Sequence, residues 1–135
     1  MAEPRWLARA SVLAFHEVSL ARFGGLAGIR DEGLLDSALA RPEMLLNDQP
    51  GTGVHRLAAC YAVGQAKNHP FVDGHKRTAF LAAYVFLRDN GWRLTASQAA
   101  VVVTMLGVAS GSVGEMELAA WLEANTARES GGDRG

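Results

Sequence analysis

Apolar residues recur at three- and four-residue spacing through almost all of this chain, and no run alternates with the period of two that a half-buried strand needs. A chain so patterned has to solve its burial with helices. Val12, Leu13, Phe15, His16, Leu20 and Phe23 fall near one face of a helix expected over residues 10–23, with Gly24-Gly25 as a left-handed stop. Asp31 is placed to cap a second helix through Leu34, Leu35, Ala38 and Leu39, expected to end before Pro42 because the residue preceding a proline avoids the helical region. Residues 43–53 hold Pro50, two glycines, Asn47 and Asp48 and read as a connecting loop, open to a short helical or hairpin piece. Helical spacing resumes from Thr52 or Gly53 to Asn68 and again over residues 75–90, where Gly91 supplies the stop. Thr95 with Gln98 and Ser112 with Glu115 have capping-box spacing and predict two more helices, about residues 96–108 and 113–127. Trp92-Arg93-Leu94 is the one candidate for a short extended piece.

The expected architecture is an all-α single domain, a bundle of about six helices over residues 1–127, followed by a polar, glycine-containing tail at 128–135 expected to be disordered. Its core is expected to contain Leu13, Leu35, Leu39, Leu57, Tyr61, Leu81, Val85, Val102, Leu106, Leu118 and Trp121. A chain of 135 residues suffices for this, since a domain of that size buries about two-thirds of its unfolded surface. Thirteen Lys and Arg balance fourteen acids, so the overall charge lacks the footprint of a direct nucleic-acid binder. Cys60 is the single cysteine; it excludes an intramolecular disulfide framework and suits a reducing cytoplasm. With no basic-then-apolar leader and no long uninterrupted apolar run, neither secretion nor membrane insertion is expected.

The chemistry concentrates in His69-Pro70-Phe71-Val72-Asp73-Gly74-His75-Lys76-Arg77-Thr78, between two helical segments. The first N–H groups of a helix have no intrahelical acceptor, and with the helix dipole they form an anion site. Gly74, without a Cβ, lets backbone approach a ligand closely as the chain turns into that helix. Lys76 and Arg77 stand in the first turn, where cations are unfavourable unless an external anion supplies negative charge; a polyphosphate does so. Asp73 suits Mg²⁺, which takes one or two carboxylates plus phosphate oxygens and waters, and it equally suits a helix cap. His69 is the natural general base, able to take a proton from an attacking hydroxyl. Phe71 is expected to turn inward and pin the loop. His16 and His55 read as packing or solvent residues, Cys60 as an inert buried thiol, and Glu115 and Glu117 as ordinary first-turn acids. No CxxC pair, HExxH helix or P-loop is present.

The run from His69 to Arg77 resembles the Fic/Doc motif, in the form with lysine found in Doc (death-on-curing) toxins. Residues 24–42, Gly-Gly-Leu-Ala-Gly-Ile-Arg-Asp-Glu-Gly-Leu-Leu-Asp-Ser-Ala-Leu-Ala-Arg-Pro, are similar to the amino-terminal signature of Doc-like proteins. The resemblance implies an all-α Fic fold and a toxin that transfers phosphate from ATP to a threonine of elongation factor Tu. It also implies a cognate antitoxin whose helical segment lies in a groove and blocks the site. His69 would then activate the target hydroxyl, Asp73 would help bind Mg²⁺, and Gly74, His75, Lys76 and Arg77 would hold the nucleotide phosphates. The loop over residues 46–53 would be the flap that positions the target.

Two positions depart from wider family patterns. AMP-transferring members usually carry glycine at the position of Lys76 and a second arginine at that of Phe80, so phosphate transfer is preferred over AMP transfer. His75 stands where the family generally has asparagine, and an imidazole is bulkier than an amide and donates according to its tautomer. The alternatives are a Fic-type AMP transferase and a catalytically impaired antitoxin-binding module.

Overall fold

Every residue from Leu57 to Ala66 is buried, so the helix that carries them, α3 (Val54–Asn68), is the axis of the molecule. A helix apolar on all sides is stable only when surrounded. Its small residues allow that: Gly64 sits where a Cβ would lie 3.6 Å from Ala38 on α2 (Glu32–Asp48). The remaining walls are α4 (His75–Asp89), α6 (Glu115–Ala124) and, against α4, α1 (Arg9–Phe23). The structure, a computed structural model, describes residues 3–129. Six helices and one two-stranded sheet make up its regular elements, as the helical spacing requires.

The core forms where the stripes meet. Leu35, Leu57, Tyr61 and Leu118 are fully buried as expected, with Phe86 packed against Tyr61 at a ring separation of 5.1 Å. Each such side chain contributes about 1.5–3 kcal/mol by leaving water. Leu13, Leu39, Val85 and Trp121 pack on the core while half-buried. Leu81 is likewise only partly covered.

Two expected core residues are not in the core. Val102 and Leu106, on α5 (Gln98–Ser110), are 57% and 53% exposed. The helix is apolar on every side, but only Val108 is buried, because α5 packs chiefly on α3 and α4 and lines an open cleft. Spacing alone does not distinguish these surroundings.

Pro42 does not end α2, which continues to Asp48. An interior proline costs about 3 kcal/mol in a free helix. Here Pro42 is itself buried, continuing the stripe of Leu35 and Ala38, and Leu45 and Leu46 beyond it also pack on the core. Burial of the extended stripe offsets the lost hydrogen bond, and the expected loop shrinks to residues 49–53.

The expected caps hold at one end and shift at others. Asp31 accepts from Leu34 N at 3.0 Å, and Gly24 and Gly91 adopt positive φ of 82° and 91°. Ser97, not Thr95, caps α5, accepting from Ala100 N at 3.2 Å, because Thr95 N is engaged by Asn125 O. Gly114, not Ser112, is the N-cap of α6, with Glu117 reaching back to its N–H, while Ser112 bonds Gly107 O.

The last helix also stops short of residue 127. Asn125 folds its side chain onto Trp121 O, and β2 (Thr126–Arg128) pairs antiparallel with β1 (Trp92–Leu94), Trp92 opposite Arg128. Arg128 lies over the Trp92 ring, and His55 meets Thr126 Oγ1 at 2.9 Å. Arg128 is thus paired in β2 and Glu129 N–H donates to Gly91 O, although both lie in the tail expected to be disordered; residues 130–135 lie outside the described residues. No helix among the described residues is long and apolar enough to cross a membrane.

Candidate active site

The motif occupies the turn from α3 into α4, and the loop over residues 24–31 holds it in place. Val72 N donates to Gly28 O, Arg30 N and Asp31 N both donate to Pro70 O, and Ile29 forms a bridge with Phe71. Phe71 is 1% exposed, so it pins the turn from below, as expected.

His69 is the C-cap of α3 and is the one non-glycine among the described residues with positive φ, at 47°. That left-handed conformation costs an L-residue about 1–2 kcal/mol. Arg30 holds it there, donating from Nε to His69 O at 2.6 Å and from Nη2 to Asn68 O at 2.7 Å. The backbone twist leaves the imidazole at the surface, lining an open cleft of about 590 Å³ whose far wall is α5, with Val103, Leu106, Gly107 and Ser110.

Asp73 does not cap α4. Gly74 is the N-cap, with φ 76°, and as a glycine it brings no capping side chain. Asp73 instead accepts from Leu26 N at 2.8 Å through Oδ2, which binds the 24–31 loop to the motif. A Cβ on Gly74 would meet His16, Arg77 and Leu20 at 3.3–3.4 Å, so glycine is needed for space as well as for φ.

Arg77 is turned toward the end of α1. Its Nε donates to Ser19 Oγ at 2.9 Å and its Nη2 to Gly24 O at 3.0 Å, with the guanidinium over Phe23. The backbones of His75 and Lys76 open α4; their side chains lie outside the described part of the structure. The structure thus brings His69, Asp73, Gly74 and Arg77 to one turn.

A helix start whose N-cap is glycine, without acids in its first turn and with no room for a Cβ on that glycine, fits an anion such as a polyphosphate. Among the described residues no group of three or more His, Cys, Asp or Glu side chains is placed to hold a metal. Asp73 alone beside that helix start fits Mg²⁺ held largely by phosphate oxygens and water.

The expected flap is misplaced. Residues 46–48 belong to α2, and 49–53 lie at the opposite end of α3 from His69. A helix of that length separates them by roughly 20 Å. The segment bordering the motif is 24–31, tied to it through Leu26, Gly28 and Arg30.

His16, expected to be a packing or solvent residue, is a packing one with a polar contact the sequence did not indicate. It is 3% exposed and stacks on Phe71 at a centroid distance of 3.7 Å, with Nδ1 2.7 Å from Thr78 Oγ1. Its place on the apolar face of α1, one turn before Leu20, was the available signal. Arg30 carried none, because its partners are backbone carbonyls remote in sequence. Glu115, read as a first-turn acid, bridges Arg56 at 2.8 Å and Arg41 at 3.4 Å. Cys60 behaves as expected: burial first, then Glu115, push its pKa up to about 11.

Burial, and then Arg77, hold the His16 pKa below the ordinary value, with Glu17 opposing; burial does the same at His55 against Glu123. The unfolded chain therefore binds more protons than the folded one just below the ordinary histidine pKa of about 6.5. The stabilisation is fully present above that value and is lost as pH falls through it toward the lowered folded values. Urea unfolding at descending pH should show stability falling from about pH 7 to 5, and less steeply in His55→Asn. A flat profile over that range would contradict the burial of both rings.

The model for the Fic/DOC family matches residues 6–87. This chain belongs to the Fic/Doc family. Over 109 residues it is 31% identical to "Protein kinase doc" of Escherichia phage P1, covering 81% of this chain and 86% of that protein. It is 46% identical over 78 residues to "Toxin Doc" of Mycolicibacterium smegmatis, covering 55% of this chain and 58% of that relative.

Proposed function

We propose that this chain is a Doc-like toxin that transfers phosphate from ATP to a hydroxyl of a translation protein in the cytoplasm. The observation that carries the reading is the exposed His69, lining an open cleft at the C-cap of α3, with the turn after it leading through Gly74 into α4. The kinase name of the phage relative supports it.

ATP supplies the phosphoryl group, and Mg²⁺ offsets its charge. Gly74, the first N–H groups of α4, His75, Lys76 and Arg77 would hold the phosphates, and Asp73 the Mg²⁺. His69 accepts the proton of the target hydroxyl, which makes that oxygen the nucleophile. Because little covalent chemistry is left to the protein in phosphoryl transfer, positioning by the pinned turn carries most of the effect. The threonine of elongation factor Tu that the family implies is the first target to test. The apolar wall of Val103 and Leu106 suits the apolar face of an antitoxin helix, which would cover His69.

The experiment is to incubate the protein with Mg²⁺, ATP and purified elongation factor Tu or cell extract and weigh the modified product. One added phosphate is expected. An increment of a whole nucleotide would replace the reading by AMP transfer. No modification, from a folded protein that still binds an antitoxin, would favour the impaired binding module that His75 raises.

A further inference from the structure

His16 belongs to no motif, yet it sits beneath the catalytic turn with a complete set of directional contacts on one ring nitrogen. Thr78 Oγ1 donates its only hydrogen to Gly74 O at 2.9 Å, since a carbonyl can only accept. With the hydroxyl hydrogen on Gly74 O, the 2.7 Å contact to His16 Nδ1 runs the other way, Nδ1–H donating to the hydroxyl oxygen. For a neutral ring this arrangement is the Nδ1–H tautomer, with Nε2 a buried nitrogen without a partner among the described residues. Stacking on Phe71 fixes the ring plane.

The relay ends on a peptide that matters. Gly74 O also accepts from Thr78 N at 2.9 Å, so the carbonyl is held by two donors of one residue. In a planar trans peptide the C=O and the following N–H point in opposite directions. Anchoring Gly74 O inward therefore aims the backbone N–H of residue 75, the first of α4, outward from the helix start. Gly74 has positive φ, so this peptide lies at the bend into α4, where the Thr78 hydroxyl adds a second donor to the helix's own bond from Thr78 N.

We propose that His16 is a positioning residue which, through Thr78, sets the Gly74–His75 peptide plane and so aims the first phosphate-binding N–H of α4. The proposal rests on the phosphate-binding reading of the site. It explains a polar side chain buried under the motif, where an apolar one would pack as well.

The test compares His16→Leu and Thr78→Val, which break the relay with little change of volume, with His16→Asn and Thr78→Ser, which keep a donor and a hydroxyl. The broken variants should raise the KM for Mg·ATP roughly 10- to 100-fold with a smaller fall in kcat, and the conservative ones should recover most of that loss. His69→Ala should do the reverse, lowering kcat with KM little changed. Without nucleotide, the backbone amide resonance of His75 should shift in His16→Leu and Thr78→Val and return toward its original position in Thr78→Ser. A nitrogen-15 spectrum of the wild type should show Nδ1–H on His16. If wild-type protein binds no Mg·ATP, the functional reading fails, while the tautomer and the His75 amide still decide the positioning claim. An Nε2–H tautomer, or a His75 amide indifferent to His16→Leu, would overturn it.

Discussion

His69→Ala should lower phosphate transfer by roughly 10²- to 10⁴-fold, the usual contribution of a general base. The left-handed backbone at this position is a complication, since a substituent that rejects φ 47° would also move the turn. His69→Asn resolves it: asparagine tolerates that conformation, so the Arg30 contacts to His69 O and Asn68 O should persist. Equal loss in both variants, measured with labelled ATP and a purified target, would assign the effect to the imidazole. Full activity in a folded His69→Asn protein would remove His69 from the chemistry.

Phe71→Ala should have the largest effect on stability, about 3–5 kcal/mol, the range for deleting a buried aromatic ring. The side chain is 1% exposed and stacks on His16. Because its backbone bridges Ile29 and its neighbours bond Gly28 and Arg30, the cavity opens directly below the turn that carries the motif. Total stability for a domain of this size is about 5–15 kcal/mol, so the variant should remain partly folded yet have a displaced motif. Denaturant unfolding alongside activity checks both. Phe71→Leu, keeping most of the volume, should lose much less. If Phe71→Ala unfolds at the wild-type denaturant midpoint, the account of how the turn is held is wrong.

The helices over residues 10–23, 54–68 and 75–89 were legible because each carries its own evidence: an apolar period and a residue that stops it, Gly24, Pro70 or Gly91. The Fic/Doc motif was legible for a related reason, since residues 69–77 are contiguous and do not wait for the fold to bring them together. Where the reading failed, the deciding partner lay far along the chain. Pro42 stays helical because its ring finds a buried place against the core, and Thr126–Arg128 turns to strand because Trp92–Leu94 offers an edge. Val102 and Leu106 have the composition of core residues and the position of surface ones.

By itself the sequence determined an all-helical domain of the Fic/Doc family, with His69, Asp73, Gly74 and Arg77 near one turn, because periodicity and short motifs are local properties. Only the tertiary structure decided what supports that turn. His16 and Thr78 are 62 residues apart, Leu26 and Asp73 47, and Arg30 and His69 39, and none of these pairs leaves a mark in local spacing. Hydrogen bonds and ring contacts are short-ranged, so they choose their partners only after the hydrophobic stripes have brought α1, α3 and α4 together. The same packing settled which end of α3 meets a loop able to border the site, and there the 24–31 segment, not the one before α3, lies against His69.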